Sequence, residues 1–523
     1  MTNKILYIIS LLSLSGLLSS AVAQKKGDTP NTPTAYETGK IYLPWLRSDN
    51  AAGLPFDDQR YSGAATIRSE YALTKGAFKD PQDGHKIKQL SVFSEGHANF
   101  ENVYTYGSFE YSDLSITDAG YNASILDPHR GMPYYIADTY QSNWRKHNYK
   151  LQFKASTRPL FDFVTFGLTG RYSALHGAKQ RDPRTDNRLM QLELIPSTVF
   201  LFGENHKVGI SAGYGVLKEQ SHMQNLNASE SHDYYTLLGL GKSIKHIGSG
   251  ETSDYKGIKL SGDAYYFTTI GDLKLMLSGG YSRHTETATI SFSTPHNRGS
   301  ILSDHLHSSL ELAWEKASTL HQLTAFGEYS KTQGIEYINI RDNSTEQKGW
   351  IQLHRDVRSE YKDTRLGAAY TLLIRRGMGY DWKFGLSTRL EDTDNSYLVP
   401  SSTYLVRNVV SGLDVAKSFV LSQAYNSELL LQFGGSYGHN LKGRYEYNDS
   451  HPESPMVKDL EQGRLDYQSS DYTTLGGSIT YSSQVTKTNT SILFAKLGYE
   501  HTAAKTSALG KRGVLSVSIG YNF

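Results

Sequence analysis

The chain has 523 residues, 38% hydrophobic and 20% charged, with 47 Gly, 14 Pro, 37 Tyr and no Cys. Its mean hydropathy of −0.48 is too polar for a helical membrane protein, and a formal net charge of +2 lacks the basic face of a nucleic-acid binder. The missing cysteine excludes disulfides, cysteine-held metals and a lipidated amino terminus, which leaves sheet pairing to hold the fold.

The chain opens on a targeting pattern. Lys4 gives a positive region, residues 5–18 are mostly apolar, and Ala21-Val22-Ala23 has the small-x-small form that signal peptidase cuts. Residues 1–23 therefore read as a signal peptide, with cleavage after Ala23 leaving Gln24 first. Residues 24–60 show no strand alternation. They begin Lys-, Thr- and Pro-rich, then carry Ile41, Tyr42, Leu43, Trp45 and the run Ser48-Asp49-Asn50-Ala51-Ala52-Gly53-Leu54. Such apolar groups need a partner.

From residue 61 the chain becomes a series of alternating segments. Val164, Phe166, Leu168, Gly170 and Tyr172 share one strand face, opposite Thr165, Thr169, Arg171 and Ser173. Leu273, Leu275, Leu277, Gly279 and Tyr281 repeat the pattern, as do Leu429, Leu431, Phe433, Gly435 and Tyr437. Tyr recurs near the ends of these apolar faces, where an aromatic girdle meets lipid headgroups. Connections alternate between short ones, such as 101–102, 202–206 and 269–272, and long polar ones at 116–146, 219–257, 342–360 and 448–471. No fixed repeat marks a propeller. The pattern predicts a transmembrane antiparallel β-barrel over 61–523, with tight turns at one rim and long loops at the other.

One parity fits throughout. Upward strands fall near 61–76, 102–114, 162–175, 206–218, 272–286, 320–333, 380–392, 426–440 and 488–501. Downward strands fall near 86–98, 146–156, 187–200, 257–268, 303–316, 361–374, 403–419, 471–483 and 512–523. The sum is about 18 strands, within a range of roughly 16–20, which puts both termini in the periplasm. Residues 234–243 read as an extra strand or as loop, 405–419 leave their register open, and Pro196 requires a strand end or bulge. The last strand alternates Leu515, Val517, Ile519, Tyr521 and Phe523 against small polar groups, and Tyr521 and Phe523 form a barrel-closing signal.

Charged residues within the wall must face inward, because lipid penalises them. This names Arg171, Lys274, Glu328, Arg365, Lys383, Arg389 and Glu428 as lumen lining. On 303–316, His305, His307, Glu311 and Glu315 share the lumen face, and the first three form a candidate metal site. No nucleophile elbow or His-Glu-x-x-His motif occurs, so no catalytic residue, cofactor or enzyme activity is assigned, with an outer-membrane enzyme as the minor alternative.

The Ala-Val-Ala-Gln signal ending, Trp45 with the run 48–54, Tyr235-Thr236-Leu237-Leu238-Gly239-Leu240-Gly241 and the closing Gly520-Tyr521-Asn522-Phe523 resemble the DUF6850 type, a Bacteroidota family of outer-membrane β-barrels of unknown function. The resemblance implies an integral outer-membrane location and no catalytic residues. It implies contact with outer-membrane lipid and the barrel-insertion machinery. A TonB-dependent receptor or surface lipoprotein is a further candidate partner, and nucleic acid is not. Residues 24–60 then form either a periplasmic contact or a lumen plug, too short for the folded plug of a TonB-dependent receptor. Two functions stay open: a channel or transport-related protein for small hydrophilic solutes, and a non-conducting accessory subunit of a TonB-linked or other outer-membrane complex.

Overall fold

A strand that is apolar on one face needs a non-aqueous neighbour on that face and a paired edge on each side. The computed structural model describes residues 31–523 except 62, 64, 228, 231, 249, 291–293, 343, 345–348 and 487–489. The expected signal peptide and its cleavage at Ala21, Ala23 and Gln24 lie outside the described residues. Eighteen antiparallel strands make one sheet that closes on itself. The first strand, Thr66–Gly76, pairs with the second, Lys86–Asn99, and with the last, Lys511–Asn522. Ile67 lies opposite Tyr521 and Leu73 opposite Leu515. Beyond the final strand, Phe523 and Ala65 exchange backbone hydrogen bonds of 2.9 and 3.0 Å, so Tyr521 and Phe523 sit on the seam.

The side chains divide as the alternation requires. Leu277, Tyr281, Leu306, Phe433, Leu475, Leu497 and Ile519 are all exposed on the outside of the ring. From Leu273 to Tyr281 the strand rises roughly 26 Å at about 3.3 Å per residue, close to the apolar band of about 25 Å that a membrane barrel presents once tilt is allowed for. Trp314, His321 and Tyr370 cluster outside one rim, with Trp314 stacked on His321 at 4.9 Å. Tyr214, Tyr281, Tyr329, Tyr437 and Tyr499 stand exposed toward the other end of their strands.

Three expectations change in detail. Residues 234–243 are no wall strand. Asp233–Gly239 and Lys242–Ile247 form a hairpin that joins Tyr135–Ala137 in a separate three-stranded sheet. The expected loop 342–360 is largely strand, because Thr319–Asp342 and Gly349–Arg376 stay paired to Asp342–Gly349. This hairpin runs past its neighbour, whose pairing ends at Ser359–Tyr397. Pro196 lies within the strand Arg184–Phe202, and the ladder toward His206–Gln224 lapses between the pairs Leu194–Tyr214 and Ser197–Ser211, where proline offers no donor. The strand Ser402–Ser422 has its register fixed by pairing with Ser427–Glu446.

Two sets of residues pack inside the ring. Near one rim lies the segment 31–61. Its helix Pro33–Tyr42 starts on Thr32, whose side chain accepts the Ala35 N–H at 3.2 Å, with Pro33 in the first position, which needs no donor. The helix stops before Pro44, whose ring disfavours helical backbone at Leu43. A short turn, Pro44–Arg47, and a 3₁₀ turn, Ala51–Phe56, follow. Toward the other rim lie the loops 120–141, 225–249 and 447–471. The last contains a π-helical turn, Met456–Glu461, and a helix, Gln462–Gln468.

Candidate functional site

Small polar residues on the inner strand faces cannot themselves fill a ring of this size, so the lumen is defined by what else enters it. The segment 31–61 meets wall residues around the circumference. Trp45 is fully buried against Val199, Tyr265, Phe267 and Met276. Tyr42 stacks on Tyr61 at 4.9 Å and 4°, among Leu320, Leu373, Tyr380, Ala416 and Leu430. Two glycines permit the close approach. A Cβ on Gly53 would lie 2.0 Å from the Trp45 ring, and one on wall Gly167 would lie 2.2 Å from the Ala52 backbone nitrogen.

The backbone of this segment is met by wall donors and acceptors. Thr165 and Thr169 hydroxyls donate to the carbonyls of Ala52 and Asp49 at 2.6 and 3.0 Å. The Asn50 amide donates to the Thr198 and Ile210 carbonyls, both at 3.2 Å. Lys154 Nζ donates to the Leu46 carbonyl at 2.6 Å and also to that of Ser48. Charges match as well. Lys383 Nζ reaches Glu37 at 2.5 Å, Arg171 binds Asp49, and Glu311 binds Arg47. Within the segment, Asp57 accepts the Trp45 and Leu46 N–H groups at 2.9 and 2.8 Å. Burial pushes its carboxyl up to about 7, against the lowering pull of those donors.

The residues named from sequence fall as follows. Arg171 bridges Asp49 and Glu193, the latter at 3.1 Å. Lys274 lies 3.9 Å from Asp58 and over the Tyr42 ring. Glu428 accepts the Thr34 hydroxyl at 2.9 Å and Arg376 at 2.8 Å. Arg389 pairs with Glu391 at 2.8 Å. Glu328 lies opposite Arg365 in the ladder and lines a cavity of about 770 Å³ with Asp263 and His307. The histidines are neighbours, with His305 and His307 rings 5.5 Å apart. His307 pairs with Asp263 at 3.0 Å, while Glu311 turns to Arg47. Glu311 lies four residues along the strand from His307, about 13 Å at 3.3 Å per residue, too far for one ion. Among the described residues no group of three His, Asp or Glu side chains has ligand spacing.

The loops near the far rim pack with different chemistry. Leu238 and Leu240 cluster with wall residues Tyr361, Tyr397, Tyr404 and Val406. Leu126 and Met132 sit on Tyr255, Ala288 and Ile301. Arg130 pairs with Glu286 at 2.9 Å, Ser124 donates to Glu219, and Lys179 and Asp138 form a fully buried pair. Between loops and segment, a cavity of about 540 Å³ is lined by Glu110, Lys150, Arg171, Glu193 and Lys259. Here Lys150 meets Glu110 at 3.3 Å and Lys259 meets Glu193 at 3.0 Å. An adjoining cavity of about 400 Å³ extends to Tyr36, Lys40 and Arg47 of the segment.

Sequence reasoning missed Lys154, Glu193, Glu37 and Asp57. The first two were accessible from parity, since each sits between outward residues, Phe153 and Ala155 or Leu192 and Leu194. Glu37 and Asp57 lie in irregular chain, where no period indicates direction.

With this geometry established, comparison with known proteins adds three findings. A family profile described as "Family of unknown function (DUF6850)" matches residues 51–523. No curated protein matches the chain. Among solved structures, the chain is similar to BauA, the ferric preacinetobactin receptor from Acinetobacter baumannii, with 8% identity, a TM-score of 0.42, and coverage of 88% of this chain and 80% of that one. It is also similar to a Pseudomonas aeruginosa FadL homologue, with 11% identity, a TM-score of 0.36 and coverage of 94% and 98%. The outer membrane transporter YddB from Escherichia coli gives 7% identity, a TM-score of 0.38 and coverage of 88% and 81%. At these identities the likeness is one of barrel architecture.

Proposed function

We propose that this chain, which belongs to the DUF6850 family, is an outer-membrane transport protein for small hydrophilic solutes, with the segment 31–61 as its plug. The observation that carries the reading is how the segment is held. Glu37, Arg47 and Asp49 meet Lys383, Glu311 and Arg171 across the lumen. A permanent filling is at least as stable when apolar, because buried ion pairs recover little beyond their desolvation cost. Charged contacts that water can replace suit a filling that leaves. Cavities beside the segment, whose linings include Glu110, Lys150, Arg171, Glu193 and Lys259, would extend the path. The segment enters at the rim with the short turns, which in single-chain barrels is periplasmic, so both termini are assigned there.

Planar-bilayer recording tests this. The full chain should show little current, and deletion of residues 31–60 should give a stable open current. A deletion that behaves as the full chain does removes the plug. A second reading, an accessory subunit, is favoured by the hairpin beyond residue 337, where Ile338, Ile340, Ile351 and Leu353 stand exposed. Silence in both proteins, together with a copurifying envelope protein lost on trimming that hairpin, would favour it.

A further inference from the structure

Four buried polar atoms with no hydrogen-bond partner among the described residues belong to residues that line one cavity of about 480 Å³. They are Arg464 Nε, Arg512 Nη1, His129 Nε2 and Asn395 Oδ1. Arg464 and Asn395 are themselves almost wholly buried, at 7% and 2% exposure. Arg464 lies on the loop helix Gln462–Gln468 and His129 on the loop 120–141, whereas Asn395 and Arg512 project from wall strands. The cavity is thus lined mostly by wall strands and closed by the cap. A volume of this size suits a small solute.

We propose that this cavity binds a small oxyanion, a solute bearing a carboxylate or phosphate group. Buried guanidinium N–H groups left unpaired are costly, so Arg464 Nε and Arg512 Nη1 at one void call for an acceptor-rich occupant, and the Asn395 Oδ1 acceptor beside them suits a hydroxyl or protonated oxygen of the same solute. Arg365 adds a third guanidinium to the lining and makes no ion pair among the described residues. The carboxylates of the lining are engaged: Glu391 holds Arg389, Asp392 pairs with Arg407 at 2.6 Å, Asp363 accepts the Thr393 hydroxyl at 2.7 Å and Asp127 accepts the His129 backbone N–H at 2.8 Å. Glu461 pairs with Arg464 at 4.0 Å and leaves its Nε unpartnered. Arg512 spends Nη2 on the Gly84 carbonyl at 3.4 Å and keeps Nη1 free. Guanidinium edges in this state match the paired oxygens of a carboxylate or phosphate. Because Arg464 and His129 sit on the loops, lifting the cap divides the site and releases the solute.

The proposal narrows the solute class of the transport reading but rests only on binding. A barrel that binds the anion and never conducts keeps this inference and loses that reading. The test is titration calorimetry of the purified full chain in detergent with inorganic phosphate and, separately, with citrate. At least one should bind, and which one does identifies the group. Arg365→Gln and Arg512→Gln should each weaken binding at least tenfold. Arg444→Gln, whose guanidinium pairs with Glu446 away from the cavity lining, should leave it unchanged. Heat-modifiable gel migration checks that each variant is a closed barrel. Arg464→Gln is added, and the other two variants decide the outcome if it fails to fold. No binding of either anion, or binding that both Arg365→Gln and Arg512→Gln retain, overturns the proposal and leaves the cavity as hydrated wall.

Discussion

The two fillings of the lumen differ in attachment more than in size. The segment 31–61 runs into the first strand, which begins at Thr66, and on its other side Asn31 is tied to the wall by hydrogen bonds with the Thr490 carbonyl and the Asn522 amide. The three loops of the cap are tethered at both ends to paired strands. Hydrogen bonds can be exchanged for water without opening the ring, whereas a loop between two paired strands can only change shape. The contacts follow suit. The segment is fixed by ion pairs and backbone acceptors around two apolar clusters, one at Trp45 and one at Tyr42 and Tyr61. The cap packs tyrosines and leucines over Tyr361, Tyr397 and Tyr404, with Lys179–Asp138 wholly enclosed. On the proposed transport reading, the segment is the part suited to release and the cap the part suited to rearrangement.

The largest effect that would break this contrast is electrical. Shortening the loop 447–471 to a tight turn, with the segment intact, should leave the barrel silent, while removing residues 31–60 should open it. If the shortened loop alone conducts, the cap is the barrier and the assignment reverses. Next in size is Trp45→Ala. Removing a fully buried tryptophan costs about 3–5 kcal/mol at well-packed sites. Here the loss should fall on docking of the segment, so limited proteolysis of 31–61 should accelerate while heat-modifiable migration of the barrel stays the same. Loss of both together would mean that the segment and the wall fold as one unit.

How much of this was legible in sequence depended on which contacts set the structure. The wall was legible because lipid acts on every second residue alike, so Leu273 to Tyr281 or Leu515 to Phe523 carry their direction in their order. The same parity identified Arg171, Lys383 and Glu428 as residues to watch. Their partners Asp49, Glu37 and Thr34 could not be paired with them, since those contacts join chain positions between 122 and 394 residues apart. Residues 234–243 were ambiguous for a related reason. Tyr235 and Leu237 alternate as a wall strand would, but their hairpin pairs with Tyr135–Ala137 of a distant loop instead of with the ring.

A smaller effect should appear with pH. Asp57 has its carboxyl raised from an ordinary 3.8 to about 7 by burial. The docked segment therefore favours the neutral acid. That contribution is complete below about pH 4 and is lost as pH climbs to about 7, at up to about 1.4 kcal/mol per unit. Proteolysis of 31–61 should quicken over that window in the wild type. Asp57→Asn, which cannot ionise, should give a flat profile. A wild-type rate that slows with rising pH would contradict the sign and place the ionised form in the docked state.

The smallest effect sharpens the contrast most. Arg47 and Glu311 are paired while partly open to water, at 34% and 25% side-chain exposure, whereas Lys179 and Asp138 stand at 1% and 0%. A pair that water reaches is worth about 0.2–1 kcal/mol and is screened once the Debye length falls to about 3 Å at 1 M salt. Breaking an enclosed pair costs about 3–5 kcal/mol because a bare charge remains, and salt does little to help. Arg47→Met should therefore speed proteolysis of the segment slightly at low salt and not at all at 1 M. Lys179→Met should expose the loop 120–141 to protease equally at both. If the two variants respond to salt alike, the ends of the barrel are held by the same kind of contact, and release at one end alone would need another cause.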